Sequence, residues 1–263
     1  MNFMLEVKIV RVDVSAAKAQ ETTDHVAEEK PFYIFLNRTH YATIFCSPSN
    51  LKELAVGHAL SEGILESLEE IEEINLKEDS VCRVKLKPDV DLEKRLKLSE
   101  HFSRVIFSAC GSTGPFQPTE KLAKIKSDLT VKADVLLNCV NRLNFIADTF
   151  RKTGGVHVAA IHKADGTLVA SAEDVGRHNA VDKVIGAIAL EKADFSECFL
   201  VLSGRLTGDI VLKAAKVGLS TVASLAAALD SGIAVAKDAN LTLIGFARGK
   251  RMNIYNSAER ILL

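Results

Sequence analysis

The chain carries almost no net charge and has no long apolar run. Its 33 lysines and arginines face 34 aspartates and glutamates over 263 residues, a formal net charge of -1. This balance gives no electrostatic reason to expect binding to nucleic acid or to an acidic membrane, so any anion site must be built locally. No apolar run approaches the roughly 18 residues of a membrane span, and charge interrupts the N-terminus where a signal peptide needs an apolar core. We expect a soluble, cytoplasmic protein with neither membrane nor nucleic acid as partner.

Cysteine is sparse and scattered. The five cysteines form no CxxC pair, which argues against a disulfide framework and against a zinc knuckle. The zinc deaminase, HExxH and GxSxG signatures are absent. Neither a Walker A loop nor a GxGxxG fingerprint occurs. We therefore predict no metal site and no permanently bound cofactor.

The N-terminal part reads as a smaller, β-rich α+β subdomain over residues 1–110, whose first strand is also a candidate to join the main sheet. Its predicted strands are 32–36, 41–45, 69–79, 81–86 and 104–109. A helix from Leu51 to Ile64 can be capped by Ser49 or Asn50. Residues 111–131 are predicted to be a flexible cysteine-containing loop and a linker helix, because glycine and proline crowd positions 110–118.

Residues 132–263 alternate strands with helices, which predicts an α/β domain. Apolar spacing predicts a helix from about 135 that stops at Gly154. Beyond it, predicted strands at 156–161, 167–170, 198–202, 220–224 and 241–246 are interleaved with helices at 175–192, 209–217 and 231–238. This pattern predicts a largely parallel sheet covered on both faces, with ligands at the loops after the strands' C-terminal ends.

Cys110 is the first candidate for chemistry. It follows the apolar stretch 105–107 and precedes a glycine, so its sulfur is expected at a strand exit in a pliable segment. A nucleophilic or sulfur-carrying cysteine needs that access, although an incidental small residue fits the same position. The other four cysteines, Cys46, Cys82, Cys139 and Cys198, lie in apolar patterns and read as core.

The segment 171–183 is the second candidate. Asp174, His178 and Asp182 are four residues apart and would line one helical face, with Glu173, Arg177 and Asn179 near the helix start. This mixture suits binding a polar ligand or orienting a histidine, and a solvated helix face is the alternative. His157 and His162 flank an apolar run and read as structural.

Two basic loops follow strands. In 203–209, glycines let backbone amides approach an anion and Arg205 could hold a phosphate, while a plain turn capped by Thr207 is the alternative. In 246–251, three cations surround one glycine, which fits either an anion clamp or a solvated hairpin turn.

Taken together, these motifs resemble the formate dehydrogenase accessory sulfurtransferase family, FdhD, over nearly the whole chain. The segments that carry the resemblance are 29–32, 46–55, 60–64, Cys110-Gly111, 153–157, 173–183, 203–205 and 242–248, of which 173–183 is the most specific. The resemblance implies a three-layer α/β main domain similar to the cytidine deaminase fold, without its zinc site.

It also implies a function. Members of the family accept sulfur as a cysteine persulfide from a cysteine desulfurase. They pass it to the molybdenum of the bis(molybdopterin guanine dinucleotide) cofactor before insertion into formate dehydrogenase. The persulfide site maps onto Cys110, and we expect Arg205, His178 and Asp174 to line the cofactor pocket. The family's cofactor-binding stretch maps onto Phe246, Ala247, Arg248, Gly249, Lys250 and Arg251. By analogy the protein is a candidate homodimer.

The chain departs from the family pattern at two places. Thr113 stands where the family commonly has the second cysteine of CxxC, and Leu225–Leu229 replaces a Ser-Ala-Pro-Thr-like stretch. The alternative to sulfur transfer is therefore a non-catalytic chaperone that binds the cofactor. A plain nucleotide-binding regulator is the third hypothesis.

Overall fold

The computed structural model describes residues 3–77, 80–103 and 122–263. Cys110 and the predicted strand 104–109 lie outside these residues. Within them the fold is mixed α/β, as the alternation of strands and helices predicted.

The first two strands form a hairpin of their own. Strands β1 (Met4–Asp13) and β2 (Lys18–Ala27) pair antiparallel along their whole length, from Met4 opposite Ala27 to Asp13 opposite Lys18. The expectation that the first strand joins the main sheet is therefore wrong. A short turn brings the two strands together locally, and this pairing forms before any distant partner is needed.

The next four strands form a separate sheet with the order β4-β3-β6-β5. Its elements are β3 (Lys30–Leu36), β4 (Thr39–Cys46), α1 (Leu51–Ser61), β5 (Ile71–Lys77), β6 (Val81–Leu86) and α2 (Leu92–Ser103). The predicted hairpin and the strand 81–86 are confirmed, whereas the strand predicted over 69–79 begins only at Ile71, after a short 3-10 helix. The cap is not confirmed: Asn50 precedes α1 in a left-handed conformation and its side chain makes no capping hydrogen bond. The helix also ends three residues earlier than predicted, since Gly63 follows with a φ of 76°.

The predicted helix after residue 132 is broken into three. Strand β7 (Val131–Lys132) leads into α3 (Ala133–Asn141), α4 (Leu143–Ile146) and α5 (Asp148–Thr153). The break has a tertiary cause, because the Glu173 carboxylate accepts the backbone N–H groups of Thr149 and Phe150 and so starts a new helix. The predicted linker helix does not extend into residues 122–130, which contain no helix. Gly154 ends α5 in a left-handed conformation, as predicted.

The main sheet has six strands in the order β13-β12-β11-β10-β8-β9. In chain order the elements are β8 (His157–Lys163), β9 (Leu168–Asp174), α6 (Arg177–Leu190), β10 (Cys198–Leu202), α7 (Gly208–Lys216), β11 (Thr221–Ser224), α8 (Asp230–Ala239), β12 (Thr242–Arg248), β13 (Arg251–Asn256) and β14 (Ile261–Leu262), which pairs with β7. Only β10, β11 and β12 run parallel. The prediction of a largely parallel sheet thus holds for the centre alone, because short turns join β8 to β9 and β12 to β13 and force antiparallel pairing.

Apolar clusters cover both faces of this sheet. One contains side chains of α1, α6, α7 and α8 and continues into the four-stranded sheet through residues such as Phe32 and Val84. The other packs α3 and α4 against Phe199 and Val201 of β10. Helices therefore lie on both faces, and the division at residues 110 and 132 and the likeness to the cytidine deaminase fold stay predictions.

Two glycines set the closest helix contact. A Cβ atom on Gly57 of α1 would lie 1.8 Å from the Asp182 carbonyl oxygen, and one on Gly186 of α6 would lie 1.9 Å from the Glu53 carbonyl oxygen. Only glycine fits at either position, so backbone meets backbone where α1 crosses α6. This contact fixes α6, which carries the functional residues at its N-terminal end.

Candidate functional site: the C-terminal edge of the central strands

Four of the five thiols are unsuited to sulfur chemistry. The described cysteines, Cys46, Cys82, Cys139 and Cys198, are all buried and free. Burial raises the pKa of Cys46 to about 12, and that of Cys82 and Cys139 to about 11. Burial also raises the pKa of Cys198. Because the thiolate is the nucleophile, these four side chains are unreactive at neutral pH, as their apolar surroundings predicted.

The loops that follow β10, β11 and β12 are joined into one edge. The backbone N–H of Leu206 donates to Ala227 O at 2.9 Å, and that of Phe246 donates to Ala226 O at 2.9 Å. Ser224 Oγ adds a hydrogen bond of 2.6 Å to Gly204 O. The loop 225–229 is therefore the bridge between the two basic loops, which lie two strand spacings apart, about 10 Å.

Arg177 provides a half-buried cation at this edge. It is the first residue of α6, and among the described residues its buried Nε atom has no hydrogen-bond partner. Its side chain lies against the 203–207 loop, since a Cβ atom on Gly204 would meet Arg177 Cβ at 3.0 Å. Burial lowers the pKa of the Arg177 guanidinium, an effect that Asp209 partly offsets and Arg205 reinforces. Arg177 and Arg205 thus both lie at this corner, and Arg177 Nε still lacks a hydrogen-bond acceptor.

Two histidines complete the corner. His178 Nε2 contacts Asp209 Oδ2 on α7, which orients the imidazole. Although burial alone would raise it, the pKa of Asp209 is lowered by this hydrogen bond and by the charge of His178. His157 Nδ1 lies 3.4 Å from Ser203 Oγ. Burial, with the positive charges of Arg177 and His178, lowers the pKa of His157.

The basic stretch 246–251 forms a distorted hairpin. Phe246 adopts a left-handed conformation with a φ of 50°, at a register shift between Gly245 and Arg248. Strain of this kind in a bulky residue collects at functional sites. The Arg248 guanidinium lies 5.2 Å from the centre of the Phe246 ring. Asn141 holds the turn, donating to Gly249 O and accepting from Gly249 N, both at 2.9 Å.

The predicted residues of this stretch are not equivalent. Arg248, Gly249, Lys250 and Arg251 are exposed, Phe246 is half-buried, and Ala247 is fully buried. The structure thus contains the hairpin turn that was one of the two interpretations, and it leaves three cations on its surface. The cofactor clamp stays a prediction, and the side chain of Ala247 is not available to it.

Asp174 lies apart from the exposed edge. It ends β9 instead of lying on a helix, so the prediction of a single helical face with His178 and Asp182 is wrong. The reason is that Gly176 and the extended backbone before it delay the helix to Arg177. The Asp174 carboxylate pairs with Lys183 Nζ at 2.6 Å and also accepts from Ser47 N at 3.1 Å. Its acceptors are occupied, which leaves Asp174 without a free oxygen directed at a ligand.

The rest of the 173–183 motif also holds the fold together. Asn179 Nδ2 donates to Phe45 O and to Asp174 Oδ1, each at 2.9 Å. Asp182 binds His58 Nδ1 at 2.9 Å and Lys213 Nζ at 3.0 Å, fully buried between α1, α6 and α7. The solvated-face alternative is wrong, since Asn179, Asp182 and Lys183 are buried. Of the polar side chains in this motif, only those of Arg177 and His178 lie at the edge, where a ligand could bind.

Sequence reasoning missed several members of these networks. Asp209 was seen only as the end of a glycine loop, and His157 only as a structural residue. Asp209 follows the predicted strand 198–202, and His157 lies at the start of the predicted strand 156–161. Position near the end of a strand is the one signal that could have found them. Ser47 and Lys213 carry no such signal, because Val175, a partner of Ser47, and Glu62, a partner of Lys213, lie 128 and 151 residues away.

Comparison with known proteins shows which family this chain belongs to. The model of the FdhD/NarQ family matches residues 27–262. This chain belongs to the FdhD/NarQ family. The resemblance predicted from the motifs is thereby confirmed.

Relatives of the family match along the whole chain. The "Sulfur carrier protein FdhD" of Saccharolobus solfataricus is 37% identical, with 97% of this chain and 99% of that protein covered. The protein of the same description from Bacillus licheniformis is 35% identical, with 97% and 95% covered. A crystal structure from Desulfotalea psychrophila, described as a candidate formate dehydrogenase accessory protein, has a TM-score of 0.79 and 28% identity, and covers 99% of this chain and 100% of that one.

The described residues contain neither a metal-binding cluster nor a membrane-spanning helix. No group of three or more histidine, cysteine or acidic side chains in residues 3–77, 80–103 and 122–263 is placed to hold a metal ion. No helix in that part of the chain is both long and apolar enough to cross a membrane.

Proposed function

We propose that this FdhD/NarQ protein is a sulfur carrier for formate dehydrogenase that uses Cys110 as its persulfide site. The observation that carries the proposal is that the four other cysteines can be excluded as reactive thiols. Of the five cysteines in the sequence, four are buried with raised pKa values, which leaves Cys110 as the thiol able to act. The names of its relatives, "sulfur carrier protein" and formate dehydrogenase accessory protein, support the same role.

The loading step is a thiol exchange. The Cys110 thiolate attacks the outer sulfur of a persulfide on a cysteine desulfurase, and the donor cysteine leaves as a thiolate. One S–S bond breaks and one forms, so no oxidant is needed. In the delivery step the outer sulfur passes to the molybdenum of the guanine dinucleotide cofactor and Cys110 is released as a thiolate. The transferred sulfur takes two electrons from Mo(IV) as it becomes a sulfido ligand.

The edge described above supplies the cofactor surface in this proposal. Arg177, with its unpartnered Nε, and Arg205 would bind the phosphates of the cofactor. His178, oriented by Asp209, and the cations of the 246–251 hairpin extend the same surface. The residues present fit a polyanionic dinucleotide, because cations outnumber carboxylates there.

Chain length allows Cys110 to reach this surface. After Cys110 the described chain resumes at Leu122, and Ile125 donates to Ala239 O at 2.8 Å at the opposite edge of the sheet. The length of β12 separates the two edges by roughly 20 Å. Twelve residues of extended chain span about 40 Å, so the distance is no obstacle.

Intact-mass spectrometry tests the carrier role. The full chain is incubated with a cysteine desulfurase and cysteine, beside Cys110→Ala and the matched control Cys198→Ala. A gain of one sulfur, about 32 Da, in wild type and in Cys198→Ala but not in Cys110→Ala supports the proposal. An adduct that survives in Cys110→Ala would contradict it.

A second function, a cofactor chaperone without sulfur transfer, is favoured by one observation. Thr113 replaces the second cysteine of the family's CxxC, and none of the four described thiols is accessible enough to resolve a persulfide. No adduct on wild type, together with tight binding of guanosine diphosphate, would establish this alternative. A preference for free nucleotide over the dinucleotide cofactor would instead indicate a nucleotide-binding regulator.

A further inference from the structure

A cavity lies at the opposite edge of the main sheet. Its volume is about 1010 Å³, and it opens where β8 ends and where β10 and β12 begin. The cavity is lined by residues 124–129, Lys163–Asp165, Ser196, Glu197, Asn240 and Arg260. Neither the family resemblance nor the proposed sulfur carrier site uses any of these residues.

Arg260 is the unusual residue in this cavity. Arg260 is only 7% exposed, yet no carboxylate of the described residues lies within 4 Å of its guanidinium group. Among those residues its one hydrogen bond is from Nη1 to Thr242 Oγ1 at 3.3 Å. A buried guanidinium presents five donors, and leaving them without an anion is costly. Arg260 therefore has donors available for an acceptor that enters the cavity.

A second unsatisfied group lies next to this arginine. Thr221 of β11 is directly opposite Thr242 of β12 in the parallel register, so both side chains project from the same face of the sheet. Thr221 is fully buried, and within the described structure its hydroxyl has no hydrogen-bond partner. A buried hydroxyl without a partner, and a buried guanidinium with a single hydrogen bond, indicate a missing polar ligand or its water.

The charges around the cavity favour an anion. Lys124, Lys126 and Lys163 are exposed on its wall and add three ammonium groups to Arg260. Three carboxylates also line it, those of Asp128, Asp165 and Glu197, so cations exceed acids by one. The Asp165 carboxylate is already bound by the Thr167 backbone N–H at 2.8 Å. The buried floor is cationic, and the acids lie on the exposed rim.

We propose that this cavity is a binding site for a small molecule bearing an oxyanion group, phosphate or carboxylate, held by Arg260 and by Lys163 and Lys126. Guanidinium and ammonium groups bind either anion through charge-assisted hydrogen bonds. The volume suits a small organic ligand. The length of the central strands, roughly 15–20 Å, separates this site from the Arg177 edge.

Lysine acetylation of the full chain tests the site, with inorganic phosphate and malonate as the two probes. Phosphate or malonate should slow acetylation of Lys163 and Lys126 by roughly threefold or more, relative to sodium chloride at equal ionic strength. Lys8, exposed on β1, reports the general effect of salt and should not change. Protection by phosphate alone indicates a phosphate-bearing ligand, and protection by both anions indicates a site for carboxylates as well.

Variants distinguish this site from the proposed cofactor surface. Arg260→Gln should abolish the protection of Lys163, whereas Arg251→Gln, at the opposite edge, should leave it intact. Circular dichroism confirms that Arg260→Gln is folded, and Lys163→Gln, an exposed substitution, offers a second variant in which Lys126 is the reporter. Equal acetylation with and without both anions in wild type, or full protection in folded Arg260→Gln, would overturn the proposal. Neither result bears on persulfide formation at Cys110.

Discussion

Asp174 and Lys183 form an ion pair of 2.6 Å in which neither side chain has any exposed surface. The pair joins the end of β9 to α6, and Lys183 Nζ also donates to Ser47 O at 2.9 Å. Ser47 in turn accepts from Val175 N through its hydroxyl. This network ties the loop before α1 to the segment that presents Arg177 and His178, so a structural ion pair positions the proposed cofactor surface.

Removing one member of this pair should be strongly destabilising. Lys183→Met leaves the Asp174 carboxylate buried without its countercharge, and the free energy of unfolding should fall by about 3–5 kcal/mol. Urea denaturation followed by circular dichroism measures the change.

The controls for this prediction are a double variant and an exposed pair. Asp174→Leu with Lys183→Met removes both charges and should be less destabilised than Lys183→Met alone. Lys85→Met breaks an ion pair with Glu72 in which both side chains are about half exposed, and it should change little. A double variant as unstable as the single one would show that packing, not charge, is responsible.

The contact of α1 with α6 gives a second prediction. Gly186→Ala would place a methyl group 1.9 Å from the Glu53 carbonyl oxygen, so the helices must separate. The expected loss is about 2–4 kcal/mol, despite the better helix propensity of alanine. Thermal unfolding checks it. Ala187→Ser adds one atom at the next, half-buried position of α6 and should be tolerated; an equal loss in both variants would argue against the close contact.

Much of the architecture could be predicted because its causes are local. Alternating apolar runs located the strands from 156 to 246, and the two basic loops were found because each follows a strand. The errors have distant causes. Glu173 breaks the helix near residue 148 from 24 residues away, and short hairpins reverse the outer strands of the sheet.

The site was predicted less completely than the fold. The motif 173–183 was predicted to present one helical face, but its side chains contact three different parts of the fold. Glu173 caps α5, Asp174 and Asp182 meet buried lysines, and Arg177 and His178 reach the edge. Spacing of four residues gives a shared face only inside a helix, and the first four residues of the motif precede it.

The network around Asp182 should make stability depend on acid pH. Burial alone would raise the pKa of Asp182, but Lys213 and His58 hold it well below its usual range. A carboxyl with a depressed folded pKa contributes stability above its unfolded value of about 4, and this contribution is lost as the pH falls further. Asp182→Asn should therefore lower stability at neutral pH and flatten its decline below about pH 4.

Urea midpoints measured across that range check this prediction. Asp148→Asn, which alters an exposed carboxylate on α5, should keep the wild-type slope. A slope unchanged in Asp182→Asn would assign the acid sensitivity to other carboxylates. Glu62, whose pKa Lys213 also lowers against the effect of burial, is the next candidate.

The titration of His162 should affect stability at a higher pH than that of Asp182. Its ring is buried, stacks 5.6 Å from Phe199, and among the described residues its Nδ1 atom has no partner. Burial lowers its pKa to about 4. The unfolded chain takes up the proton near pH 6.5 while the folded chain does not, so stability should fall as the pH drops from about 6.5 to 4, by no more than about 3 kcal/mol.

His162→Phe removes this titration. It keeps an aromatic ring against Phe199 and should reduce the dependence of stability on pH within that window, leaving the smaller part that the lowered pKa of His157 contributes. This window lies above the range of Asp182. The comparison variant is His25→Phe, an exposed site on β2, where the wild-type slope should persist. If His162→Phe retains the slope, the buried imidazole is not its source.

Nucleotide affinity should depend on the corner formed by Arg177 and Arg205. Arg177 has a buried donor without a partner, so a phosphate bound there gains a charge-assisted hydrogen bond that water does not supply. Arg177→Met should weaken binding of guanosine diphosphate by about tenfold or more, measured by isothermal titration calorimetry. Arg177→Lys should recover part of it, because an ammonium keeps the charge and loses the planar fork.

The matched control for this prediction is Arg151→Gln, on α5, where a half-exposed arginine pairs with Asp148. It removes the same charge from the protein and should leave the affinity unchanged. A nonspecific attraction between net charges would weaken in both variants and decline steeply with salt. A bound phosphate at the corner predicts instead that only Arg177→Met and Arg205→Gln lose affinity, and that much of the difference from wild type persists at high salt because Arg177 is half-buried.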